Sequence, residues 1–69
     1  MKYYSTKRPV MPGSYPKPIG NLPVEIKNYD ERLFVKEIGR MAWGEIEYRD
    51  PLSEADVYEY ELVPENCSK

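Results

Sequence analysis

Apolar and polar positions set out one dominant stretch, Glu31 to Arg49, and its period changes partway along. Leu33, Phe34, Ile38 and Met41 follow at spacings of one, four and three, which places them on one stripe of a helix. Asp30 suits the N-cap, because its carboxylate can accept from an orphan N–H of the first turn. Glu31 follows where the helix dipole favours negative charge. Lys36, Glu37 and Arg40 fall mainly on the other side. Gly39 weakens such a helix by about 1 kcal/mol relative to alanine and marks its end or a kink. After Gly44 the period becomes two, so Ile46 and Tyr48 share one face and Glu45, Glu47 and Arg49 the other. That pattern predicts a half-buried strand, with Trp43-Gly44 as the joint and glycine supplying a positive φ. The rival reading is a hairpin: Leu33 to Ile38 as one strand, Gly39-Arg40 in the turn, Met41 to Tyr48 as the other. The helix is preferred.

The flanking segments give weaker signals. Residues 1–7 carry Tyr3 and Tyr4 beside Ser5 and Thr6, which favours a short edge strand. Residues 8–23 hold Pro9, Pro12, Pro16, Pro18 and Pro23 and exclude a helix. Pro12-Gly13 and Gly20-Asn21 suit tight turns. Val10, Met11, Tyr15, Ile19 and Leu22 supply enough apolar surface for this arm to wrap the core. Pro9-Val10-Met11-Pro12 beside Arg8 also matches a polyproline ligand, a weaker signal because such motifs recur by chance. Residues 24–29 alternate Val24, Ile26 and Asn28 against Glu25, Lys27 and Tyr29, a strand with one buried face. Ser53 followed by Glu54 and Asp56 reads as a helix start, and a short helix over 53–59 is expected. The resulting fold class is α+β, in the order β-β-α-β-α. A small three-stranded sheet is packed by one central helix and a short second helix, with a Pro-rich wrapping arm. The expected divisions are an N-terminal strand and arm over 1–22, a compact body over 23–64 and a tail over 65–69.

Length narrows the options. Sixty-nine residues make one domain at most. A chain this short buries only about 60% of its unfolded surface, so it needs help to be stable. Cys67 is alone and there is no His, so neither a disulfide nor a metal is expected. No cofactor is expected either. Self-association is the remaining route, and a homodimer is the default expectation. No apolar run approaches the roughly 18 residues of a membrane span, and no signal-peptide pattern opens the chain. The unpaired Cys67 fits a reducing compartment, and the cytoplasm is expected.

The net charge of −2 conceals an asymmetry. Residues 1–20 hold Lys2, Lys7, Arg8 and Lys17 and no acid. Residues 45–65 hold Glu45, Glu47, Asp50, Glu54, Asp56, Glu59, Glu61 and Glu65 against Arg49 alone. The simple account of the acids is solubility. The functional account is a face for a basic partner, built from Glu45, Glu47, Glu54, Asp56, Glu59 and Glu61. Trp43 suits the core beside Phe34 and Ile46; exposed, it would be an anchor for a partner. Lys2, Tyr3, Tyr4, Lys7, Arg8 and Lys17 resemble the basic and aromatic mix that holds single strands. Nucleic acid is nevertheless the disfavoured partner, since the rest of the chain repels phosphate. No serine has a base in view and no histidine is present, so an enzyme is not expected.

The run Met1 to Gly13, with Glu37-Ile38-Gly39-Arg40, Ala42-Trp43-Gly44, Ile46-Glu47-Tyr48 and Pro51-Leu52-Ser53-Glu54, resembles small proteins of Firmicutes plasmids, conjugative elements and prophages. Some of these occur as modules of large polyvalent proteins. The resemblance spans most of the chain and carries no catalytic motif. It implies an accessory role in a mobile element. Many small acidic proteins in that setting, anti-CRISPR and antirestriction proteins among them, bind and block a host nuclease. Three expectations follow. The first is a non-enzymatic interaction module, in concrete form an acidic-faced inhibitor of a host nucleic-acid-handling enzyme. The second is a small nucleic-acid-binding protein using the basic arm. The third is a structural homo-oligomer subunit.

Overall fold

A computed structural model describes residues 1–65. Strands β1 (Lys2–Ser5), β2 (Pro23–Val35) and β3 (Arg40–Tyr48) precede helix α1 (Glu54–Glu59) and strand β4 (Leu62–Pro64). All pairings are antiparallel, and the strands lie in the order β2-β3-β1-β4. The fold is therefore a four-stranded antiparallel sheet with one short helix. This corrects the expected three-stranded sheet packed by a central helix.

The central helix is replaced by a hairpin. β2 and β3 pair from Pro23↔Tyr48 to Val35↔Arg40, and residues 36–39 turn between them. Gly39 closes the turn at φ 69, with its N–H and that of Ile38 donating to the Val35 carbonyl at 2.8 and 3.3 Å. A left-handed residue costs glycine little and would break a helix. The apolar stripe that suggested a helix is not a buried face. Phe34 is 63% exposed and Leu33 45%, while Val35 and Ile38 are buried. Helix spacing and hairpin spacing both fit so few positions; pairing with β3, itself held by β1 from the start of the chain, decided between them.

Two further expectations change. β1 is not an edge; it lies between β3 and β4. Its neighbouring tyrosines point to opposite faces, and each enters a different core cluster. Tyr3 packs with Val10, Ile46, Tyr48, Leu52 and Leu62; Tyr4 packs with Val35, Ile38, Ala42 and Val63. Two buried tyrosines in succession require cover on both faces of the sheet: Val10 of the arm and Leu52 lie over Tyr3, and Val35 and Ile38 lie over Tyr4. Conversely, residues 24–29 form the outer strand, and Ile26 there is 43% exposed rather than buried.

The arm crosses the sheet and turns twice. The N–H of Ser14 donates to Met11 (2.9 Å) with Gly13 at φ 90, and the N–H of Asn21 donates to Pro18 (3.1 Å) with Gly20 at φ 85. Val10 and Pro16 are buried, whereas Met11, Ile19 and Leu22 are exposed. Asn21 ties the arm to Asp50 through two reciprocal bonds of 2.9 and 3.0 Å. Ser53 caps α1, its Oγ accepting from the Asp56 N–H at 3.1 Å. No helix among the described residues is long and apolar enough to cross a membrane.

Candidate functional site

α1 packs Val57 and Tyr60 against the cluster of Tyr3, Ile46, Tyr48 and Leu62. It stands off far enough to leave a groove of about 760 Å³ against β1 and β4. Leu52, Val57, Leu62 and Pro64 give the groove an apolar lining. Glu54, Glu59 and Glu61 supply carboxylates, and Lys7 and Arg40 also reach it. α1 carries acids in its first turn and no base in its last. Tyr58 lines the groove yet is 86% exposed. An apolar surface with charged groups around it is the ordinary make-up of a recognition site.

The six proposed acids do not share one surface. Glu54, Asp56, Glu59 and Glu61 lie on or just after α1. Glu45 and Glu47 alternate with Ile46 and Tyr48 along β3, so they point to the opposite side of the sheet. Glu45 is already engaged: Lys2 Nζ lies at 3.3 Å, and the Tyr29 hydroxyl donates to its Oε1 at 2.6 Å. Asp56 is half-buried. Glu61 pairs with Arg8, whose guanidinium also donates to the Tyr60 carbonyl at 3.3 Å.

Trp43 is half-buried on β3 and joins neither core cluster. Arg32 lies 5.8 Å from its ring centroid. The expected core packing with Ile46 is not found; Trp43 lies under a cation instead. A long bulge, with Asn28↔Gly44 and Leu33↔Ala42 as its limits, brings Arg32 there.

The basic arm is dispersed by the fold. Tyr3 and Tyr4 are 2% and 4% exposed, so neither ring can stack on a base. The Tyr3 hydroxyl accepts from the Leu52 N–H at 2.7 Å. Lys2 and Arg8 serve Glu45 and Glu61, and Lys17 lies 5.4 Å from the Tyr15 ring centroid. Lys7 is exposed. A second groove, about 580 Å³, opens on the Tyr4 face and is bordered by Lys2, Lys27, Lys36, Glu37 and Glu45. Cys67 lies outside the described residues. Among the described residues, no group of three or more His, Cys, Asp or Glu side chains is placed to hold a metal.

Sequence reasoning missed the groove and Tyr58. Charge placement in the first turn of α1 was the available signal, but the apolar lining comes from three separate segments: the loop before α1, α1 itself and β4.

Several protons are held tightly by this arrangement. The hydrogen bond and charge of Glu45 raise the Lys2 ammonium above its ordinary value. Burial raises the phenols of Tyr4, Tyr29 and Tyr48, and Tyr29 is raised further by its bond to Glu45. In each case the folded state keeps a proton that the unfolded chain releases. The stability these groups contribute is therefore complete below about pH 10 and is lost as pH climbs through the folded-state values. Urea titrations between about pH 8 and pH 11.5 are expected to show a falling midpoint above pH 10, with a shallower fall for Tyr29→Phe. A flat profile would remove the Tyr29–Glu45 bond from the account.

The sequence matches the family model described as Defence against restriction A C-terminal over residues 1–67. No curated protein and no solved structure matches the chain. The match covers nearly the whole length and agrees with the expectation of an anti-restriction module of a mobile element. The chain belongs to the Defence against restriction A C-terminal family.

Proposed function

We propose that this chain is a non-enzymatic module that counters restriction by binding a host restriction enzyme through the groove between α1 and β4. The family match carries the anti-restriction role. The groove supports the mode of action: carboxylates of Glu54 and Glu59 beside exposed Tyr58 and an apolar lining suit a basic, partly apolar segment of the partner. Nucleases keep such basic segments for phosphate, so an acidic side chain seated there competes with DNA. Complementary charge also speeds the encounter, which matters when the competitor is incoming unmodified DNA.

The test is a digestion of unmodified plasmid by a panel of restriction enzymes, with the protein titrated in. Protection is expected for at least one enzyme, with direct binding measured by calorimetry. The triple variant Glu54→Lys, Tyr58→Ala, Glu59→Lys is expected to weaken binding by about 100-fold, as for loss of an interface centre. Circular dichroism checks that it folds. No protection and no binding across the panel would refute the inhibitor reading. Binding lost in Glu47→Lys but kept in the triple variant would move the contact to the other side of the sheet and refute the groove.

A further inference from the structure

The sheet has two outer strands, and they are finished differently. β4 is three residues long and ends on Pro64, which has no N–H to offer. β2 is thirteen residues long, and every residue from Val24 to Asn28 is exposed. The arm leaves this edge uncovered, with Ile19 and Leu22 themselves exposed. Two irregularities bound the regular part: one between Pro23 and Glu25, the other between Asn28 and Leu33. Glu25 to Asn28 is thus a short, regular, open edge. Such an edge offers a row of unpaired N–H and C=O groups to another strand.

Its charges select the partner. Glu25 and Lys27 flank Ile26 with opposite sign, and neither belongs to an ion pair among the described residues. In an antiparallel pairing centred on Ile26, Glu25 of one copy faces Lys27 of the other, and Lys27 faces Glu25. Ile26, 43% exposed, meets its own equivalent. An edge bearing one sign of charge would repel a second copy; this edge is complementary to itself.

A second feature points the same way. Within one chain Glu25 lies directly opposite Glu47, two like charges in register. Opposed like charges destabilise a strand pair. Lys2 is the register partner of Glu47 on the far side, but its ammonium is drawn to Glu45. Lys27 of a second copy would arrive on the same face, beside Glu25, and offset the repulsion.

We propose that this protein forms a two-fold homodimer by antiparallel pairing of β2 with β2, centred on Ile26. The two four-stranded sheets join into one continuous sheet. Main-chain hydrogen bonds supply the affinity, and the Glu25–Lys27 pairs fix the register. The α1 groove is built on β1 and β4, at the other end of the strand order, so the dimer presents two grooves facing away from the seam. The proposal is independent of the anti-restriction reading.

Sedimentation equilibrium of the wild-type protein is expected to give twice the 8.1 kDa of one chain. Lys27→Glu and Glu25→Lys each place four like charges at the seam, and each is expected to raise the dimer Kd by about tenfold or more. An equimolar mixture of the two variants is expected to recover the wild-type affinity as a heterodimer, because each supplies what the other lacks. The exchanged variant, Glu25→Lys with Lys27→Glu, is expected to dimerise alone. A monomeric wild-type protein at about millimolar concentration, below which weak specific pairs already form, would overturn the proposal. A dimer indifferent to both single variants would place the contact elsewhere and overturn it as well. Recovery in the mixture excludes misfolding as the cause of loss in the single variants.

Discussion

Tyr48→Ala is expected to lower the unfolding free energy by about 3–5 kcal/mol, the cost of deleting a buried aromatic ring. A domain of this size has roughly 3–10 kcal/mol in total, so much of the population unfolds. Tyr48 is fully buried, and its ring meets Tyr3 edge to face with centroids 5.8 Å apart. Its hydroxyl donates to the Pro16 carbonyl at 2.5 Å, and its N–H donates to the Met1 carbonyl at 2.7 Å. One side chain therefore joins β3, β1 and the arm. Tyr48→Phe separates these roles. It keeps the ring and strands the Pro16 carbonyl, at a cost of about 1–3 kcal/mol. The arm should then loosen, and thermolysin should cut before the exposed Ile19 faster than in the wild type. Equal cleavage rates, with stability unchanged, would show that the hydroxyl does not hold the arm.

Gly44→Val is expected to be nearly as damaging, and Gly44→Ala to cost about 1–3 kcal/mol. A β-carbon at Gly44 would lie 2.6 Å from the Lys27 carbonyl oxygen and 2.7 Å from Val10 Cγ2. The first is backbone of the neighbouring strand and cannot rotate away. The second is 4% exposed and held in the core. Gly44 pairs with Ser5 on one side and Asn28 on the other, so relief of the clash must spread β3 from a neighbour or lift the arm. Alanine gains back about 0.5–1 kcal/mol of backbone entropy, which partly masks the effect; valine, larger, leaves no such ambiguity. Urea denaturation followed by Trp43 fluorescence measures both. A loss for Gly44→Ala below about 0.5 kcal/mol would mean that the arm does not lie against the strand as described.

Gly44 also shows how far local reading reaches. The sequence marks it as special, and a positive φ at a joint is the obvious reason. The structure gives a different one. Gly13, Gly20 and Gly39 take positive φ, while Gly44 sits inside β3 and is small because other atoms come close. A turn glycine answers to its own backbone; a contact glycine answers to residues far away in sequence. Only the first kind is legible without the fold.

The acidic segment makes the same point about the site. Its charge is visible in the sequence, but the alternation of β3 sends Glu45 and Glu47 to one side while α1 holds Glu54 and Glu59 on the other. The basic arm looks suited to nucleic acid until Tyr3 and Tyr4 are found in the core.

What the sequence determined by itself was local chemistry. The Ser53 cap needs only its own next three residues, the turns at Gly13 and Gly20 need only four each, and the prolines exclude a helix wherever they stand. What only the tertiary structure decided was every matter resting on partners distant in the chain. Glu31 to Met41 fits a helix stripe and a hairpin by spacing. It becomes the closing end of the β2–β3 hairpin, and β3 is held in place because β1, from the start of the chain, lies along its other edge.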